Sequence, residues 1–474
     1  MSTRAQILRR FAQPSTRRPH ANNVLAWAGA SAFMVLLAVV VGVTIAEAQW
    51  LYLGLGIALC VAMIWPVEAA LGFYAFLLPF QSIAVLGQGR TGTTANWVLG
   101  AVAALALFGA GALRGRLSWP KSNTKWWLAF FLWASATCLW ALNPSTATAK
   151  MPTAGALILL YFAGCFWRAT PKELSVLNWA IMLGGASASF VAIRGFMTGI
   201  TYSSLRYGAT DRASLVVGGR EADPNLFAAD LLLPLALSIA VCFSSSARKW
   251  KLIAFLCAAL IVYAILITMS RGALLAVMVL LFVYAVRLHL SRKIMAMGAA
   301  LMALLLAVPS VFFSRLQQAV PTGGAGRLEI WRSGFVAFEH YFLMGAGLAN
   351  FPIAYSHFAG SARKFVGYTR ASHNIYLDVA VELGVIGLVL LGLALFAELR
   401  TLKQFRMTFP RPPMPIVAVE ATAYAMLLAA MFLDVLWSKS FWLLWMLLAM
   451  SLRAYASETT VPTIEPLRSR PWLN

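Results

Sequence analysis

Apolar runs of roughly 18 to 24 residues recur along most of this chain, and each is long enough to cross a ~30 Å hydrocarbon core as a helix. In lipid every backbone polar group must be satisfied within the protein, so such runs leave only helices or a closed barrel. Their length excludes barrel strands, which need about 9–11 residues. Charged residues make up 11% of the chain, well below the ~25% of soluble domains. The expected fold is therefore all-α: a polytopic integral membrane protein with 12–14 transmembrane helices. The spans fall near 24–46, 49–65, 67–86, 95–113, 125–142, 151–168, 175–199, 224–243, 250–268, 271–290, 293–313, 373–396, 417–434 and 438–455. The second and third are short and separated only by "WPVE".

The net charge of +22 needs no nucleic acid to explain it. Lys and Arg collect at short loop ends, as the positive-inside bias requires: Arg114, Arg116, Lys121 and Lys125, then Arg248, Lys249 and Lys251, then Arg400, Lys403, Arg406 and Arg411. This places both termini in the cytoplasm, with a basic tail at 1–23 and a second tail at 457–474. The bundle runs over 24–313 and resumes over 373–456. Two long loops face outward, about 200–223 and 314–372. The larger carries Arg315, Arg327, Arg332, Arg363, Lys364 and Arg370 against only Glu329 and Glu339, so something other than topology makes it basic. All five cysteines lie inside apolar runs with no Cys-x-x-Cys pair, which suggests neither disulfides nor a metal site.

Within that loop, "GRLEIWRSGFVAFEHYF" spaces Leu328, Trp331, Phe335, Phe338 and Phe342 as an amphipathic helix does, to lie on the membrane surface or on the bundle. Arg327 opens the helix. Arg220 in "GGREADPNLF", Arg271 in "ITMSRGALLA" and His373 in "ASHNIYLD" are all expected at the same outer depth. Taken singly, each Arg is an interfacial anchor, Asp223-Pro224-Asn225 is a turn and helix cap, and a His at a helix start is a structural hydrogen bonder. His20, His289, His340 and His357 keep that structural reading. Together, three guanidiniums at headgroup level suit a phosphate or pyrophosphate, since Arg offers planar, bidentate, permanently charged donors. Ser372 is the expected cap of a helix starting at His373. That helix N-terminus and the nearby cations favour a neutral imidazole, which can act as a general base. Asn374 is placed to hold a substrate hydroxyl or to orient the imidazole ring. No Asp-x-Asp pair and no Gly-rich phosphate loop appears, so neither a metal nor a cofactor is expected.

His373-Asn374, nine residues and then Gly384-Val385-Ile386-Gly387 resemble the motif of the bacterial O-antigen ligase / O-antigen polymerase family. Gly326-Arg327 with Trp331 and Gly345-Ala346-Gly347 resemble its loop pattern, and Ser270-Arg271-Gly272 and Asp223-Pro224-Asn225 look like family blocks. The resemblance covers about residues 215–395. It implies an inverting, metal-independent glycosyltransferase in the bacterial inner membrane with a periplasmic active site. The donor would be a glycan on undecaprenyl pyrophosphate and the acceptor a lipid A-core sugar hydroxyl. His373 would be the base or acceptor positioner, Arg271 and Arg327 the pyrophosphate binders, and Arg220 a third cation. Trp331 would shape the lipid-facing wall. The complete His-Asn and Gly-x-x-Gly pattern favours a ligase over a polymerase of lipid-linked repeats. A transporter or flippase is the rival from another class, but those place their charges near the bilayer midplane.

Overall fold

A computed structural model describes residues 60–81, 85–86, 93–120, 123–202, 212–217, 220–289 and 326–458. The expected spans at 24–46 and 293–313, most of 49–65, the tail 1–23 and the chain beyond Glu458 lie outside the described residues. The chain is an all-α polytopic membrane protein. Its helices are α1 (Gly72–Phe76), α2 (Ala95–Leu113), α3 (Thr124–Ala136), α4 (Pro144–Phe166), α5 (Pro171–Met197), α6 (Pro224–Asp230) and α7 (Leu232–Phe243). They continue with α8 (Arg248–Ile267), α9 (Arg271–Arg287), α10 (Arg327–His340), α11 (Phe351–Phe358), α12 (Ile375–Thr408), α13 (Met414–Ala429) and α14 (Lys439–Glu458). Among the described residues five segments are long and apolar enough to cross a membrane: α4, α5, α6 with α7, α8 and α12.

Helix starts follow local chemistry. Thr170 forms a capping box with Glu173 ahead of α5, and Asn143, Asp223, Ser270 and Asn374 each accept backbone N–H bonds from the first turn that follows. Proline occupies the first helical position at Pro144, Pro171 and Pro224, where its missing N–H costs nothing.

Two expectations are corrected, and a third, the span at 224–243, stands with a break inside it. The span expected at 67–86 is a broken run: a π-helical turn Pro66–Leu71, then α1, then a 3-10 turn Leu78–Phe80, with Pro66 and Pro79 as its punctuation. The span expected at 224–243 divides at Leu231, one turn before Pro234. The span expected at 373–396 continues to Thr408, so Arg400, Lys403 and Arg406 ride on a helix rather than in a loop.

Helix α13 is buried along its length and packs against α7, α9 and α14. In contrast, α8 turns Leu252, Phe255, Leu256 and Tyr263 outward, the apolar exposure expected of a lipid-facing helix. Buried acids tie the bundle together. Glu398 of α12 accepts from Asn123 (2.8 Å), Trp127 (3.2 Å) and Tyr161 (2.7 Å), joining α3 and α4. Glu420 of α13 is clamped by Arg287 and Arg406, which fixes the ends of α9 and α12 remote from Arg271 and His373.

Candidate functional site

The end of the bundle carrying the N-termini of α6, α9, α10 and α12 gathers most of the residues singled out from the sequence. Arg271 is the first residue of α9, whose cap Ser270 accepts from Ala273 N–H. Arg327 is the first residue of α10, after Gly326 in a left-handed turn (φ 81°). Gly272 lies against the Phe432 ring, which packs on Trp331 at 6.4 Å between centroids. The Trp331 indole N–H donates to the Ser372 carbonyl at 2.9 Å, one residue before His373. A continuous set of contacts therefore runs from α9 through Phe432 and Trp331 to the histidine.

The helix expected to begin at His373 begins two residues later. Asn374 is the cap, its side chain accepting from Tyr376 and Leu377 N–H, so this residue is a structural element of the turn and Ser372 is not the cap. Ser372 instead braces the approach, its hydroxyl accepting from Asn374 N–H at 2.9 Å. His373 itself sits in the left-handed region at φ 52°, a conformation costly for a residue with a Cβ and held here by its surroundings. Ile375 N–H anchors the segment to the Ala430 carbonyl at the end of α13. Met269, immediately before Ser270-Arg271, is likewise left-handed at φ 54°.

Sequence reasoning missed Asp434. Its Oδ2 lies 3.6 Å from His373 Nδ1, and its Oδ1 lies 3.3 Å from the Ser372 hydroxyl. Both side chains are open to the outside, 44% exposed for His373 and 36% for Asp434. At 3.6 Å the contact is longer than a hydrogen bond, and such contacts often tighten when substrate binds. An acid at Nδ1 favours the tautomer with its proton there, leaving Nε2 as the acceptor. A signal was present in the sequence: Asp434 ends an apolar span at the same depth as His373.

Arg327 is partly buried. Burial pushes its pKa below the ordinary value and the neighbouring Arg271 guanidinium pushes the same way, while Asp223 and Asp434 pull it up. The two guanidiniums are near enough to repel each other, and a polyvalent anion between them would relieve that repulsion. Asp223 caps α6 through Asn225 and Leu226 N–H, and the Asn225 side chain accepts from Arg212 at 2.8 Å. Arg212 also donates to the Thr268 carbonyl, so it ties α6 to the turn that presents Arg271. Arg220 pairs by its backbone across strands β1 (Val216–Val217) and β2 (Arg220–Glu221); its side chain lies outside the described residues.

Helix α10 forms where the apolar spacing predicts, but with a different face inward. Ile330, Ser333, Gly334 and Ala337 are buried, whereas Leu328, Phe335 and Phe342 are 59%, 58% and 51% exposed. Small residues let the helix lie close on α12, with Gly334 against Leu377, and the large ones turn outward.

Gly384 has φ 68° and ψ −172° in the middle of α12, and the segment Gly345-Ala346-Gly347 crosses the break. Ala346 N–H donates to the Val381 carbonyl and Gly347 N–H to the Glu382 carbonyl, both at 2.8 Å. Val385 N–H donates to Phe342 at 2.7 Å, and the Trp133 indole takes the Leu383 carbonyl at 2.8 Å. The Glu382 carboxylate accepts from Ala349 and Phe351 N–H, pinning the loop. The Gly-x-x-Gly and Gly-x-Gly patterns are thus two halves of one joint.

Residues 231–392 match a family model described as O-antigen ligase. That match supports an O-antigen ligase family assignment. It also supports glycosyltransferase activity of the ligase or polymerase type, in an enzyme of O-antigen processing with lipid-linked glycan substrates. No curated protein matches the chain. The matched segment holds Arg271, Arg327, Trp331 and His373; Asp434, Asp223 and Arg220 lie outside it.

Proposed function

We propose that the chain is an inverting glycosyltransferase that moves O-antigen glycan from undecaprenyl pyrophosphate to a lipid A-core sugar hydroxyl, without a metal, at the periplasmic face of the bacterial inner membrane. The observation that carries this reading is the convergence of Arg271 and Arg327 with the His373–Asp434 pair at one end of the bundle. His373 Nε2 takes the proton of the acceptor hydroxyl while the oxygen attacks the anomeric carbon. The bond from that carbon to the pyrophosphate oxygen breaks, and its electron pair leaves with the diphosphate. Arg271 and Arg327, with Arg220 as a third cation, neutralise the charge that develops there, a role suited to preorganised donors. Asp434 orients the imidazole and stabilises the imidazolium. Trp331 forms the wall beside the lipid.

On this reading both termini are cytoplasmic, and the loops 200–223 and 314–372 are periplasmic. The test is purified full-length protein in vesicles with one lipid-linked glycan donor and two alternative acceptors, in excess chelator. We expect product on lipid A-core at undiminished rate. Product only on a second lipid-linked repeat makes it a polymerase, glycan movement without bond formation makes it a flippase, and dependence on added Mg²⁺ or Mn²⁺ removes the metal-free mechanism.

A further inference from the structure

Beside the site lies a cavity of 410 Å³ that the mechanism above leaves unused. That volume is within the ~300–1,000 Å³ of small-molecule sites. Its walls include Asp434, Asp378, Lys150, Lys439, Gln81 and Trp437. Neither Arg271, Arg327 nor Trp331 lines it, so it is distinct from the cationic space. It nevertheless meets the site at Asp434, the residue 3.6 Å from His373 Nδ1, and at Ala371, two residues before the histidine.

Resting on the transferase reading above, we infer that this cavity is the subsite for the acceptor sugar, a hydroxyl-rich ring whose reacting oxygen is delivered to His373. Four features support it. The lining brings carboxyl groups (Asp434, Asp378) and ammonium groups (Lys150, Lys439) to one space, so it both donates and accepts hydrogen bonds, as sugar hydroxyls do. The Trp437 indole adds an apolar surface, held in place by stacking with Phe130 and Trp442 at 6.2 Å and 6.3 Å. Inverting displacement requires the attacking oxygen and the departing diphosphate on opposite sides of the anomeric carbon. A cavity that shares Asp434 with the base but none of the diphosphate cations meets that requirement. Its frame is also rigid: Glu382 in its wall is engaged by Ala349 and Phe351 N–H, and Asp378 sits against Asp434 and Ser372.

The test uses full-length protein in vesicles, with lipid A-core and lipid-linked glycan each varied in turn. Lys150→Met removes one donor of the cavity, and Leu226→Trp fills it from α6. For each variant we expect the acceptor KM to rise about tenfold or more, the effect of losing a charge-assisted hydrogen bond or the space itself, with the donor KM unchanged. A rise in donor KM alone would make the cavity a donor subsite and overturn the inference. Unchanged KM for both substrates in both variants would overturn it as well. Unmodified protein that transfers nothing to lipid A-core defeats the transferase reading instead, so the two failures are distinguishable.

Discussion

His373 is the residue on which the chemistry turns, and its neighbours fix what it can do. It is half exposed, left-handed in backbone, braced by Ser372 and faced by Asp434. A general base contributes about 10²–10⁴-fold, so His373→Ala should lower kcat by that order while donor binding persists. Asp434→Asn should also lower kcat, with the donor KM nearly unchanged, because it disturbs the tautomer and not the diphosphate site. Arg327→Ala should do the opposite and weaken binding of inorganic pyrophosphate. Steady-state transfer and pyrophosphate binding on the same preparations check all three; equal loss of donor binding in every variant would mean a collapsed fold and not separate roles. His373, Arg271 and Arg327 were legible in the sequence because span counting puts them at one depth. Asp434 shares that depth but was not singled out, since no motif around it distinguishes an acid at the end of a span. Asn225 was legible as a polar residue in a motif, yet its bond to Arg212 spans a stretch the sequence reads only as loop.

At the scale of elements, the joint between α12 and the Gly345–Gly347 segment decides whether the site is held. A Cβ on Gly384 would stand 2.3 Å from the Leu343 carbonyl oxygen, and one on Gly345 would stand 2.2 Å from that of Glu382. Neither neighbour is a flexible side-chain end, and Gly384 is at φ 68°. Gly384→Ala should therefore cost on the order of 3 kcal/mol, through strain and lost backbone bonds. Gly392→Ala, with nothing within 4 Å of the added methyl, should be neutral or slightly stabilising. Thermal melts in detergent compare them directly, and equal melting temperatures would show that the break in α12 tolerates a side chain. The sequence spacing of Gly384 and Gly387 suggests close helix packing. The structure instead has Gly384 break the helix and hand its carbonyls to a crossing loop. Periodicity cannot reveal this, because a lone glycine in an apolar run reads alike in either case. The same limit applies to α10: spacing located the helix, but Gly334 and Ser333 chose its buried face by letting it approach α12 closely.

Across the whole molecule, the two ends of the bundle are chemically different. One carries the site; the other carries the Arg287–Glu420–Arg406 clamp, a buried carboxylate between two guanidiniums. Removing one member of such a cluster leaves an uncompensated buried charge, so its role here is to hold α9, α12 and α13 in register beneath the site. The proposed mechanism needs the site end outside, where lipid-linked glycan and lipid A-core meet, and the clamp end in the cytoplasm. Positive-inside counting supports that direction, with Arg400, Lys403 and Arg411 at the clamp end. A cysteine placed at Tyr368, 71% exposed near the site, should react with a membrane-impermeant maleimide in intact spheroplasts, in a background lacking the five native cysteines. A cysteine at Arg411, in the turn between α12 and α13, should react only after the membrane is opened. The reverse pattern would put the His373–Asp434 pair in the cytoplasm, away from any periplasmic acceptor. The proposed reaction would fail on geometry while the match of residues 231–392 to the family model stood.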